Sequence, residues 1–320
     1  MTDPPGPVPL PAGQPPYVTA DQLLNNQWPT GISWKTMPPG TTATDAQRFA
    51  AVTALCAEGA AECDAFCNMP LRCTLTTEFF HGPGDGDARV TVQAGSRLGR
   101  VVLQRLPVLM INSVQVSPNT FPRQWTTVPD GYYSPEYPAL GLYNSIAPSA
   151  GGQGGQAILI QQGYISWALG RSGIAIQVQY THGWPHSSLP AAATAGADTI
   201  SVDDCSGWGI TTAAGTGAAG VIYDGGSQEA INCTAASVTS GPGTLTLASP
   251  LQNSHSAGIM VSSFPQDIIW ANALFSSAAA LTRGATSTTL QEAPGRGSGA
   301  SPAHLAGEAE LKLHAYRRIL

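Results

Sequence analysis

Three groupings of side chains could do chemistry in this sequence: a spaced histidine pair, a set of carboxylates and a run of cysteines. His182 and His186 have the spacing of a helical zinc pair, but Pro185 lies between them, so the two imidazoles cannot share a helix face. Asp204, Asp224 and Glu229 are the carboxylates placed to meet as the acid and base of a glycoside hydrolase. Cys56, Cys63 and Cys67 fall seven and four residues apart, with Cys73 nearby. That is not zinc-ribbon spacing. On a helix the three share a face with Phe49, Val52 and Ala60 and read as small buried hydrophobes. Cys205 and Cys233 could approach across a sheet; the start of the chain has no secretory pattern, so they read as free thiols.

Other motifs dissolve on inspection. Ser149–Gln156 is glycine-rich, but neither Lys-Ser nor Lys-Thr follows and a strand comes next, so it reads as a loop tip, not a phosphate cradle. Asp85 and Asp87 lie in His81-Gly-Pro-Gly-Asp-Gly turn chemistry and lack the rest of a calcium ligand set. With no Gly-x-Ser-x-Gly elbow, the reading is of a non-enzyme with no catalytic residues, cofactor or metal. Only 11% of the 320 residues are charged, the net charge is −6, and Lys35 and Lys312 are the only lysines. A cationic grip on nucleic acid is therefore missing. No run approaches the roughly 18 apolar residues of a membrane span, so a soluble protein made in a cytoplasm is expected.

The elements that position these residues follow from local patterns. Residues 1–16 are proline-rich and read as a disordered or extended arm. Thr19 with Gln22 makes a capping-box pair, Val18 and Leu23 stand at staple positions, and Pro29 and Gly31 end a short helix. Thr44 and Gln47 repeat the pair ahead of a longer helix with the stripe Phe49, Val52, Cys56, Ala60, Cys63, Cys67, which Asn68 and Pro70 stop. From Leu71 the period becomes two. Cys73–Phe80, Ala88–Gln93, Arg100–Leu106, Val108–Ser117, Leu140–Ile146, Ala157–Ile165 and Ile174–Thr181 read as strands of one antiparallel sheet or open barrel. Pro265–Arg283 is helical, with Ile268, Ala271, Phe275, Ala278 and Thr282 recurring on one side. Its small uncharged side, with Ala273, Ser276, Ser277 and Ala280, invites close approach of another helix.

Residues 190–263 are compositionally foreign, poor in Lys and Arg and rich in Ala, Gly, Ser and Thr. They carry five short candidate strands, Asp198–Val202, Gly220–Tyr223, Gln228–Thr234, Thr244–Ala248 and Ile259–Ser262, and read as a β-module inserted into a host domain of 17–189 plus 264–284. Trp208 and Tyr223 could offer a sugar platform but read as core aromatics. Residues 285–306 form a Gly, Ser and Thr linker. In 307–320, Glu308 precedes Lys312 and Glu310 precedes His314 by four, which favours a helix. So short a helix is marginal alone in water, and its apolar residues want a partner. The fold class is α+β: a small helical bundle packed with an antiparallel sheet, plus an inserted all-β barrel-like domain.

Tyr17-Val-Thr-Ala-Asp-Gln-Leu23, Val178-Gln-Tyr180 with Gly183, Pro265-Gln-Asp-Ile-Ile269 and Tyr316-Arg-Arg318 occur in an order that resembles the head-to-tail adaptor (connector) proteins of long-tailed double-stranded DNA bacteriophages. The order covers most of the chain outside the insert. Thr246-Leu-Ala-Ser-Pro-Leu251 with His255-Ser-Ala-Gly258 is similar to a small β-barrel module that recurs in phage tail and connector proteins. The resemblance implies a structural virion protein: a homo-oligomeric ring of about twelve copies beneath the portal, extending the DNA channel and presenting a lower face to head-closure (stopper) or tail proteins. It also implies that the C-terminal segment docks on the portal protein, through Leu311, Leu313, Tyr316, Arg317, Arg318, Ile319 and Leu320. A wall poor in Lys and Arg would let double-stranded DNA slide through without being held.

The loop Pro118–Ala139 gathers Phe121, Trp125, Tyr132, Tyr133 and Tyr137, more aromatic surface than an isolated loop can bury. It is either a subunit interface or packing against its own sheet. The rival readings of the whole chain are a phage tail or receptor-binding β-module and, more remotely, a cell-wall hydrolase.

Overall fold

The computed structural model describes residues 15–38, 43–81, 89–92, 98–118, 122–135, 157–161, 174–209, 218–287 and 301–317. The chain is mixed α+β and divides into two compact units. One takes Met1–Leu71, Pro185–Gly209 and Ala218–Leu320; the other takes Arg72–Trp184 with Ile210–Gly217.

In the first unit, helices α1 (Ala20–Leu24) and α2 (Asp45–Cys67) both begin on complete capping boxes. Thr19 and Thr44 accept from the amides of Gln22 and Gln47, whose side chains accept in return from the cap amides. Strand β1 (Ile32–Ser33) lies between them, and Asn68 closes α2 in the left-handed conformation with φ 55°. Val52, Cys56, Ala60, Cys63 and Cys67 form the buried stripe of α2. Phe49 does not belong to it, being 48% exposed. Residues 44–47 and 50 are exposed as well, so the first turns of α2 run past the helices that cover the rest.

The second unit holds β2 (Thr74–His81), β3 (Val90–Val92), β4 (Leu98–Val102), β5 (Val108–Pro118), β6 (Thr126–Thr127), β7 (Tyr133–Pro135), β8 (Ala157–Gln161) and β9 (Ile174–His182). Where one antiparallel sheet or open barrel was expected there are two sheets, ordered β2-β9-β5-β6 and β3-β4-β8-β7, with every pair antiparallel. They share one core, to which the first gives Phe80, Val114, Val116, Ile176 and Val178 and the second Val101, Ile158 and Ile160. Two faces with inward apolar residues satisfy each other, which a lone sheet cannot do. The expected strand Leu140–Ile146 lies outside the described residues.

Returning to the first unit, β10 (His186–Ser188), β11 (Thr199–Val202), β12 (Ala218–Ile222), β13 (Glu229–Ala236), β14 (Gly243–Leu247) and β15 (Met260–Ser262) form a six-stranded antiparallel sheet, ordered β10-β15-β12-β13-β14-β11. Its edges meet. The Asp203 amide donates to the Ser188 carbonyl at 3.0 Å, the Ser188 hydroxyl to the Asp203 carboxylate, and the Asp204 amide to Ser187 Oγ at 2.8 Å. The sheet thus curls around Ile200, Val202, Trp208, Ile222, Leu245 and Val261, with its edges covered. All five strands expected of the insert are present, and β10 is an addition. Because β10 pairs with β15, the chain entering the insert is knitted to the chain leaving it. Phe264, just beyond, packs on Tyr17 and His186. The two compact units part near Arg72 and Trp184, while composition changes at 190 and 263.

Helix α3 (Gln266–Thr282) follows, then β16 (Thr286–Ser287), which pairs with β1. The small side of α3 meets α2 at Gly59, where a Cβ would stand 2.5 Å from Ser276 Oγ. Helix α4 (Pro302–Leu313) begins five residues before the expected Gly307, inside the expected linker. Ser301 caps it by accepting from the His304 amide, and Pro302 occupies the first turn, a start signal that charge spacing alone overlooks. Leu305, Ala309 and Leu313 are buried, and Lys312 reaches Asp267 of α3 at 3.4 Å. The apolar side of this segment is therefore covered by its own chain.

Candidate functional site

Asp204, Asp224 and Glu229 do not gather. Asp204 is tied into the barrel, its Oδ1 accepting from the Ser206 amide at 2.9 Å, the Ser206 hydroxyl at 2.6 Å and the Gly241 amide at 3.0 Å. Asp224 and Glu229 meet instead at His255, from the loop between β14 and β15. Asp224 Oδ2 lies 3.2 Å from Nδ1 and Glu229 Oε2 lies 3.3 Å from Nε2. Glu229 also accepts from the amides of Gln252 at 2.6 Å and Asn253 at 2.9 Å. These oxygens hold a loop in place.

Burial by itself raises the Glu229 pKa, but the two amide bonds and His255 outweigh it and leave the carboxyl below its ordinary value. A depressed carboxyl adds stability above its unfolded pKa, about 4.3, and that stability is lost as pH falls through the folded value. The stability of the barrel, followed by hydrogen exchange of its strand amides, is expected to fall as pH drops below about 4. Glu229→Gln should flatten that acid limb; an unchanged limb in the variant would show that Glu229 is not its source.

The histidine pair is also separated. His182 ends β9 in the second unit, where burial first and Arg105 second bring it down to about 3, so its ring is neutral. His186 opens β10 in the first unit. Its Nε2 lies 3.1 Å from the carbonyls of Pro15 and Pro16, and its ring packs on Tyr17 and Phe264, anchoring the end of the proline-rich arm. All six cysteines are free and buried. Burial pushes Cys67 up to about 12 and Cys233 up to about 11, and it also raises Cys56, Cys63 and Cys205, so these thiols stay protonated. Among the described residues no group of three or more His, Cys, Asp or Glu could hold a metal ion, and no helix is long and apolar enough to cross a membrane.

The expected docking residues are split by α4. Leu313 is fully buried against its own helices, whereas Leu311 is 76% exposed. Tyr316 is half-buried, its hydroxyl pushed up to about 12 by burial and then by Asp267 and Cys67. Arg317 stacks 4.9 Å over Phe66 of α2. Arg318, Ile319 and Leu320 lie outside the described residues. An amphipathic helix points in opposite directions with its two sides, so Leu311 and Leu313 could not both face one partner.

The aromatic loop is similarly divided. Trp125 is half-buried beside Phe79, with ring centroids 6.1 Å apart and Arg123 over its ring. Tyr132 is exposed, and the Tyr133 hydroxyl donates to Asp130 at 2.7 Å. Phe121 and Tyr137 lie outside the described residues.

Trp125 and Phe79 mark a surface that spacing alone missed. On β2, Glu78 and Phe80 turn inward while Leu75, Thr77 and Phe79 turn outward; Leu75 is 56% and Phe79 51% exposed. Across the sheet they align with Thr181, Gln179 and Gln177 of β9, and those with exposed Met110 and half-buried Ser113 and Gln115 of β5. None of these outward residues is Asp, Glu, Lys or Arg. The clue in the sequence was the alternate set Leu75, Thr77 and Phe79, which carries no charge, beside Phe80 on the opposite parity. No protein-family model, curated protein or solved structure matches this chain.

Proposed function

We propose that this chain is a structural head-to-tail adaptor of a long-tailed double-stranded DNA bacteriophage, assembling as a ring beneath the portal and joining the capsid to head-closure or tail proteins. The observation that carries the reading is the outer face of β2, β9 and β5. A sheet face meant for water carries charges, but this one sets Leu75, Phe79 and Met110 among Thr and Gln and continues to Trp125. Strand positions without charge, bordered by Trp125 under Arg123, suit a subunit contact. Trp208 and Tyr223 are buried in the barrel, which favours a spacing or contact role for the module over a sugar platform. Portal docking falls to the outward side of α4 at Leu311 and to the residues after Arg317.

Native mass spectrometry and binding to purified portal-bearing heads test this together. The full chain should form a closed ring of about twelve copies and bind heads. Phe79→Asp should stay folded by circular dichroism but dissociate to monomers. Leu311→Asp should keep the ring and lose the heads. A chain that stays monomeric and never binds heads would overturn the proposal.

A further inference from the structure

We propose that His255 is a proton-operated clasp on the barrel, holding the loop Leu251–Gly258 closed when both ring nitrogens carry protons. The ring is fully buried, and each nitrogen faces a carboxylate oxygen, Asp224 from the β12–β13 connection and Glu229 from the start of β13. Ionised carboxylates only accept, whereas a neutral imidazole has one N–H and one lone pair. With a single proton, one of the two contacts therefore sets lone pair against lone pair in a buried site.

Nothing else in the module can take over. Residues 190–263 contain Asp198, Asp203, Asp204, Asp224 and Glu229, no Lys or Arg, and His255 as their one histidine. The segment packed on the other side of the loop contributes backbone, the amide of each of Ala193 and His255 donating to the carbonyl of the other. The loop's other anchors are the Gln252 and Asn253 amides on Glu229, the Ser256 amide on Asp224, Leu251 paired with Gly196 and Ala197, the Ala195 amide on Ser254 Oγ and the Gly258 amide on the Leu189 carbonyl. Loss of the proton leaves two carboxylates facing a ring that can satisfy one of them, which loosens the stretch from Gln252 to Ser256 whose amides those carboxylates hold. This inference does not rest on the adaptor reading.

Hydrogen exchange on the full chain, followed over a pH series, reads the clasp directly. Corrected for intrinsic rates, protection of the Gln252, Asn253 and Ser256 amides should fall about tenfold from the acid to the alkaline end of that series, while amides between β13 and β14 hold. Ring-nitrogen resonances of His255 should show the loss of one proton over the same interval. His255→Gln, with one donor and one acceptor in its amide, should abolish the step. Should that variant fail to fold, Asp224→Asn, at a partly exposed position, should reduce the step. Protection that does not change with pH in the natural chain, or a full step that survives in these variants, overturns the proposal.

Discussion

Gly59→Ala is expected to destabilise the chain by about 3 kcal/mol, although in an isolated helix the same change would stabilise by about 1 kcal/mol. The added Cβ would stand 2.5 Å from Ser276 Oγ, 2.6 Å from Asn272 Nδ2 and 2.8 Å from the Asn272 carbonyl oxygen. None of the three can step aside freely. Ser276 Oγ donates to the Asn272 carbonyl at 2.7 Å, Asn272 Nδ2 donates to the Cys56 carbonyl at 3.0 Å, and the last atom is backbone. Helices α2 and α3 must therefore separate or the polar contacts must break. Urea unfolding followed by circular dichroism gives the sign at once. A stabilised variant would mean that the two helices do not approach this closely, and Ser276→Ala in the Gly59→Ala background should recover part of the loss.

Asn272→Ala should cost about 3 kcal/mol for a different reason, the loss of partners for buried backbone groups. Asn272 is fully buried, accepts from the Val18 amide at 2.7 Å and donates to the Cys56 carbonyl. One side chain of α3 thus ties the entry to α1 to the middle of α2. Cys56 keeps the hydrogen bonding of its own helix, so most of the expected loss belongs to the Val18 amide, stranded in a dry place. Differential scanning calorimetry should show one lowered transition for the unit that holds the helices; a change under about 1 kcal/mol would mean water replaces the amide without penalty. Because Asn272 also crowds Gly59, the double variant should lose less than the sum of the two single losses.

Local chemistry was readable along the chain. The two capping boxes, the αL stop at Asn68 and all five strands expected within 190–263 depend on residues a few positions apart, and they stand as the pattern predicts. The small side of α3 was visible too, since Ser276 and Ser277 lie on one face whatever covers it.

What lay beyond reach was the identity of each face's neighbour. Leu305, Ala309 and Leu313 mark a stripe that must be covered, and period alone cannot say whether another protein or α3 covers it. The same holds for Phe49, which keeps helical phase with Val52 yet projects past the packing, and for strands that form two sheets instead of one. His255 meets Asp224 and Glu229 because β15, β12 and β13 are neighbours in the sheet, which sets the loop before β15 beside the β12–β13 connection. Caps and periodicities are nearest-neighbour properties of the backbone, set by hydrogen bonds that close over three or four residues. Which apolar face covers which, and which charges are forced to share a site, is decided by contacts between distant residues, where the gain from burial must exceed the entropy of bringing the chain together, and only the folded whole carries that balance.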